Sequence, residues 1–431
     1  MFCLEWAVLA ELLTELPGRK ALRSSGRYAT NTALLLPEGM VVELVFAKKC
    51  VVPTGAAHVL QSLHMAEAFG LAGAHVHFYP GVRAGDVSRQ AVFAGVLEET
   101  GIDGSATANW RLLPGNNAGW YGLRFRLAMA ALLIAKPDAV FFARDISEAL
   151  FLLQASAVLR RKIRFFFEMH EVLHLQPHNA EKARRLLQAE RKILANVSGL
   201  VVISPSLQTM ARDVFGFKKP VHVAPSAYSP ALFTPRPLFT PERPWPREGE
   251  ILQLVYLGRF HPGKGVENLV ASMAFMPDNV HLRVIGGSPA SQEDALREQA
   301  KGIPNGENRI VFTGSLPQKD AAAACDGAHI FVVPQETGEL FFSPLKLFEA
   351  MALGVPILAT PLDGFAGYAE RGIVAPAPGT GPRDLAQGIM ALAADPERAL
   401  RLRENALAEA QTATWEARAR RILDFCESVG R

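Results

Sequence analysis

The chain carries only four cysteines among its 431 residues: Cys3, Cys50, Cys325 and Cys426. None stands at CxxC spacing and they are scattered along the whole length. This argues against a disulfide framework or a cysteine zinc site and for a reducing cytoplasm. A large excess of one charge is also missing. The formal net charge of +3 is too small to argue for nucleic acid, although it suits brief contact with an anionic membrane surface. No apolar run reaches the ~18–20 residues that a membrane span needs. The nearest candidate, Leu127 to Phe142, is broken by Lys136-Pro137-Asp138. Met1 to Leu13 carries Glu5 and Glu11 and no basic leader, so no signal peptide is expected there.

What is present is an ordinary globular balance, 49% hydrophobic and 20% charged, in a chain long enough for two or three domains. Apolar, β-rich runs lie at Val41–Ala47, Ala74–Tyr79, Asp138–Ala143, Ile163–Phe167 and Leu200–Ser204. Helical patterns such as Ala57–Leu71 and Ala180–Ala195 separate them. A second series follows at Leu252–Leu257, Val280–Ile285, Ile310–Thr313, His329–Val333 and Val355–Thr360. Near-continuous apolar strands alternating with helices predict an α/β protein with parallel sheets covered on both faces. Ser229–Glu250, with six prolines, divides the series as a linker or crossing. The expected organisation is an N-terminal extension over 1–39, one Rossmann-like domain over 40–235, a second over 236–410, and a C-terminal helix over 411–431.

Two segments carry chemistry. In LQLVYLGRFHPGKGVEN, from Leu252 to Asn268, a buried strand ends and Gly258, Arg259 and Lys264 follow on a glycine-containing loop. Ligands of open α/β sheets bind beyond the carboxyl ends of strands. Two cations there suit a diphosphate, Arg259 by a forked contact and Lys264 as a point charge. A solvated basic turn is the competing reading. The second segment is SPLKLFEAMALG, from Ser343 to Gly354. Ser343 is suited to an N-cap, Pro344 to a first helical position and Gly354 to a C′ stop. The amino end of such a helix, at Ser343, Pro344 and Leu345, attracts phosphate, and Lys346 adds charge. Glu349, one turn further in, is placed to accept from both hydroxyls of a ribose. A plain i,i+3 pair of Lys346 and Glu349 is the alternative, but the surrounding helix is mostly apolar, and a buried charge needs a partner.

GRFHPGKG, the turn at Gly286-Gly287, VFTGSLP and SPLKLFEAMALGVPILAT occur in this order. Together they resemble the donor domain of the retaining GT-B enzymes grouped as glycosyltransferase family 4, of the subgroup with an SP-x-K-x-FE motif. The resemblance covers about the whole second half and rests on four spaced motifs. It implies two Rossmann-like domains facing each other across a cleft. It assigns Arg259 and Lys264 to the donor diphosphate and Glu349 to the nucleotide ribose, with Gly286, Gly287, Thr313 and Gly314 bordering the base. The family usually has a further glutamate where Phe341 stands. Glu336 or Glu339 is expected to replace it, and this leaves the identity of the sugar open.

The first half resembles the family's acceptor domain. Glu168-Met169-His170 at a strand end is similar to its E-x-H motif, which implies that His170 faces the cleft and that Glu168 lies near the reacting sugar. Gly55 resembles the family's glycine loop and Arg144 a position near the cleft, with a plain strand–helix turn and a salt-bridged pair as the respective alternatives. His170-Glu171-Val172-Leu173-His174 also matches HExxH, the zinc-protease motif, but Pro177 follows at once and disfavours the long helix that such a site requires. No metal ligand is assigned. The basic run from Lys182 to Lys192 reads as a solvated face, with peripheral membrane contact as a second reading.

The sequence therefore predicts a cytoplasmic hexosyltransferase that uses a UDP- or GDP-linked sugar as co-substrate, needs no further cofactor, and acts on a glycan or lipid-linked acceptor. A non-catalytic nucleotide-sugar binder and a sugar-nucleotide epimerase are the alternatives.

Overall fold

The computed structural model describes residues 42–429 except 55, 177, 288 and 337–344. The expected extension over 1–39 lies outside these residues. So do four of the expected site residues: Gly55, Glu339, Ser343 and Pro344.

The first sheet is parallel throughout. Its strands are β1 (Glu43–Ala47), β3 (His75–His77), β6 (Val140–Ala143), β7 (Arg164–Met169), β8 (Gly199–Val202) and β9 (Val221–Val223), in the order β3-β1-β6-β7-β8-β9. The short strands β2 (Val51–Val52), β4 (Gly81–Val82) and β5 (Leu113–Pro114) form a separate small sheet. The second large sheet contains β10 (Leu252–Leu257), β11 (Val280–Ile285), β12 (Ile310–Phe312), β13 (Ile330–Val333), β14 (Ile357–Ala359) and β15 (Val374–Pro376). Its order is β12-β11-β10-β13-β14-β15, and it too is parallel.

Both large sheets are covered on two faces, which is why their central strands lack polar alternation. In β6 all four residues are buried. Phe46 and Phe142 face one core with Phe69 and Phe78, while Phe141 and Phe165 face the other. Strands β9 and β15 escape a reading by apolar runs because each is only three residues long at a sheet edge.

The helix Trp415–Ser428 packs on the first sheet's side of the molecule. Its Trp415, Ala419, Ile422, Leu423 and Cys426 belong to the same core as Phe46. Glycine is required at position 199, where a Cβ would stand 2.9 Å from the Phe425 ring of this helix. The proline-rich crossing is no loose linker, since Phe233, Leu238 and Trp245 are buried and Trp245 Nε1 donates to the Ala393 carbonyl at 3.0 Å.

Candidate functional site

In each sheet the strand order reverses once, between β1 and β6 and between β10 and β13. Such switch points open a crevice at the carboxyl ends of the strands. Gly258 to Lys264 follow β10, and Pro334 to Glu336 follow β13, so the two segments meet at the second crevice. Tyr256, at the end of β10, donates its hydroxyl to the Arg259 carbonyl at 2.8 Å and so fixes the start of the loop. The loop continues against the segment after β13, where Glu336 N–H donates to the Gly263 carbonyl at 3.0 Å. Gly265 makes this contact feasible. Its φ is +69° and a Cβ would fall 1.8 Å from the Pro334 carbonyl oxygen.

The turn after β11 meets the same crevice. Gly286 has φ +126°, and a Cβ there would lie 1.9 Å from the Gly258 carbonyl oxygen. Both facts require glycine, and together they bring two loops into backbone contact. Gly286 N–H donates to the Gly314 carbonyl at 3.1 Å, so the third strand end supports the floor.

The helix Leu345–Leu353 brings the remaining charges. Seven of its nine residues are buried, including Glu349 at 1% exposure. Lys346 Nζ stands 2.7 Å from Glu349 Oε2, yet the geometry is not that of a hydrogen bond and Oε2 is left without a hydrogen-bond partner among the described residues. The pair is thus charge-compensated, with an acceptor to spare. Unused acceptor capacity on a buried carboxylate is costly, and a ligand hydroxyl would satisfy it.

These elements enclose a cavity of about 970 Å³ that also reaches residues of the first half. Gly258, Arg259, Lys264, Gly286, Gly287, Leu345, Lys346 and Glu349 all line it. Gln61, His64 and Thr54 line it from the first half, and Trp415 from the returning helix. His64 Nε2 lies 3.3 Å from Gln318 Oε1 across the divide, and its ring is parallel to the Trp415 ring at 6.2 Å between centroids.

Residues 61–231 match the family described as Glycosyltransferase Family 4, and residues 252–395 match Glycosyl transferases group 1. The chain belongs to the GT-B glycosyltransferases. Solved structures agree on the fold. Sucrose-phosphate synthase from Thermosynechococcus elongatus superposes with a TM-score of 0.64 at 20% identity, over 90% of this chain and 99% of that one. HepE from Anabaena, in complex with UDP, gives 0.63 at 18% identity, over 90% and 100%. Among curated relatives, the phosphatidyl-myo-inositol mannosyltransferase of Mycobacterium leprae is 34% identical over 28% of this chain and 31% of its own. The D-inositol 3-phosphate glycosyltransferase of Corynebacterium glutamicum is 29% identical over 39% of this chain and 41% of its own. The matched stretches thus span less than half of these relatives.

Not every expected residue of this glycosyltransferase meets the cavity. Both ring nitrogens of His170 are occupied by protein groups. The Arg144 guanidinium lies 3.2 Å from Nδ1 and Glu168 Oε1 lies 2.9 Å from Nε2. Because a guanidinium only donates, Nδ1 accepts and Nε2 carries the proton, as a neutral imidazole. Burial, reinforced by Arg144, pushes the His170 pKa down to about 4. His170, expected to face the cleft, is not among the residues that line the cavity. The same Arg144 Nη2 also donates to Oε1 of the lining residue Gln61 at 2.8 Å. Glu168 is 2% exposed, bonded to Arg418 and not among the residues that line the cavity. Arg144 itself, Thr313, Gly314 and Glu336 do not line the cavity. Thr313 Oγ1 is used on the Gly314 carbonyl at 3.0 Å, and the Glu336 side chain lies against Gly265.

The HExxH string does not form a zinc helix. His170 follows strand β7 and His174 sits in a single 3-10 turn over Leu173–Leu175, with Nδ1 2.6 Å from Glu190 Oε2. No helix among the described residues is long and apolar enough to cross a membrane. In the helix Ala180–Asn196, Lys182, Arg184, Arg185, Arg191 and Lys192 are all exposed. Sequence reading missed Tyr256, Gln61, His64 and Gln318. The first lies within a buried strand and the other three project from helices that carry no recognisable motif.

Proposed function

We propose that this glycosyltransferase moves a hexose-type sugar from a nucleotide diphosphate sugar to a glycan or lipid-linked acceptor, with retention of the anomeric configuration. The observation that carries the proposal is the meeting of Arg259, Lys264, Lys346 and Glu349 in one cavity shared by the two halves. As the glycosidic bond breaks, the departing diphosphate gains negative charge. Arg259, Lys264 and the amino end of the Leu345–Leu353 helix supply positive charge in advance of the reaction, so little reorganisation is needed. In this reading they also make a metal unnecessary for that step. The spare acceptor on Glu349 takes the ribose hydroxyls. No side chain in the cavity is assigned as a covalent nucleophile, and the acceptor attacks the same face, helped by the leaving phosphate. His170 and Arg144 act as positioning residues behind Gln61.

A UDP donor is supported by the UDP complex of the structurally similar HepE, and a lipid-linked acceptor by the name of the mycobacterial relative. The test is a thermal-shift panel of UDP-, GDP- and ADP-sugars, followed by isotope-traced transfer to added acceptors. A ligand that prefers the native state raises the melting temperature by mass action. Absence of a shift with every donor, or conversion of the donor to an epimer without transfer, overturns the proposal.

A further inference from the structure

Outside the lining of the cavity, three side chains converge on the edge of the first sheet. Glu43 opens β1 and is paired in parallel register with His75 on the edge strand β3. Residues two apart on a strand share a face, so His77 projects on the same side as His75. The carboxylate spans both rings, with Oε1 2.9 Å from His75 Nδ1 and Oε2 2.7 Å from His77 Nε2. One donor atom from each residue lies within 4.8 Å of the others.

We propose that Glu43, His75 and His77 form a binding site for a divalent transition metal of the zinc class. Two imidazoles and one carboxylate are a donor set that Zn²⁺ accepts, with water completing a tetrahedron. Ligand atoms about 2.0–2.1 Å from such an ion stand roughly 3.3 Å apart. The three donor atoms, within 4.8 Å of one another without an ion, settle at that spacing on loading through χ rotations of side chains that are 13–33% exposed.

Lys136 completes the argument. It caps the carboxyl end of the helix Ala118–Ala135, and its Nζ stands 3.1 Å from Glu43 Oε1. That end of a helix favours positive charge. A metal replaces this ammonium on the carboxylate, and Lys136, at 36% exposure, is free to swing into solvent. Loading ties the edge strand to its neighbour and leaves the donor cavity untouched.

The experiment uses the full chain after chelator treatment. Zn²⁺ is titrated by calorimetry and Co²⁺ by its visible absorption, with melting temperature read in parallel. One ion per chain is expected, with a tetrahedral cobalt spectrum and a raised melting temperature. His75→Gln and His77→Gln each weaken binding at least tenfold, while Lys136→Met strengthens it because the competing cation is gone. Melting of every variant in chelator shows that it folds. Equal uptake by wild type and the histidine variants, or no saturable uptake by wild type and Lys136→Met, overturns the proposal. Transfer activity is expected to be the same with and without the ion, so failure here is separate from failure of the functional assignment.

Discussion

Glu168 is held by Arg418, 250 residues further along the chain, and both side chains are almost fully buried. Arg418 also donates Nε to the Pro225 carbonyl at 2.8 Å and Nη2 to the Ala224 carbonyl at 3.0 Å. One guanidinium therefore joins the end of β7, the exit of β9 and the returning C-terminal helix. Removing one member of a buried ion pair strands the other and costs about 3–5 kcal/mol. Arg418→Ala is expected to lose that much stability in urea unfolding. Arg418→Ala combined with Glu168→Gln should recover part of the loss, which a merely packing role for Arg418 would not produce.

The same cluster sets a pH dependence. Folding lowers the His170 pKa from 6.5 to about 4, so the unfolded chain takes up this proton first. The stability contributed is full above pH 6.5 and is lost as pH falls towards 4. Glu168 is pulled below 4.5 by Arg418, His170 and Arg144, against the desolvation that would raise it. Its contribution holds above 4.5 and disappears at more acid pH. His170→Gln is expected to flatten the stability profile between pH 6.5 and 4, and Glu168→Gln to flatten it below 4.5. Urea midpoints measured across pH 3–8 check both.

Under the proposed function, Lys264→Ala and Arg259→Ala each remove a charged contact to the donor phosphate. A hydrogen bond to a charged group is worth about 1.5–3 kcal/mol. Each variant is therefore expected to lose roughly ten- to a hundredfold in kcat/KM with little change in melting temperature without ligand. Unchanged kinetics in both variants would remove the diphosphate from this place.

Glu349→Gln keeps the shape but not the charge. Nucleotide-sugar affinity is expected to fall about tenfold, on the order of one charged hydrogen bond. Calorimetry with the nucleoside diphosphate alone should show the same loss, because the proposed contact is to ribose and not to the transferred sugar.

Gly286→Ala places a methyl group against the Gly258 carbonyl at a positive φ. A destabilisation of about 1–3 kcal/mol is expected from the strained backbone. Donor affinity should fall too, because the displaced loop lines the cavity.

The part of the cavity proposed for the donor is legible in the sequence because its parts are local. Arg259 and Lys264 directly follow a buried strand, and Lys346 and Glu349 share one helical turn. Sequence order alone fixes their neighbours, and topology brings the two segments to one switch point. Glu168 and His170 misled for the opposite reason. A strand end is where ligand contacts are expected, but the group that claims Glu168 lies 250 residues away and leaves no trace nearby. Glu43, His75 and His77 were passed over likewise, since His-x-His acquires its carboxylate only through strand pairing. The strands β2, β4 and β5 are two residues long, too short for any periodicity to show.

The chain passes between the two halves twice, after β9 and again before Trp415, and the two passages are bonded to each other. Tyr228 N–H donates to the Ala413 carbonyl at 3.2 Å, and Trp415 N–H donates to the Tyr228 carbonyl at 3.1 Å. A single strand of backbone would let the lobes twist freely. Two strands clasped side by side resist torsion and leave one easy direction of bending, like the pin of a door. Any opening between the lobes is therefore expected to bend at Tyr228 rather than to twist there.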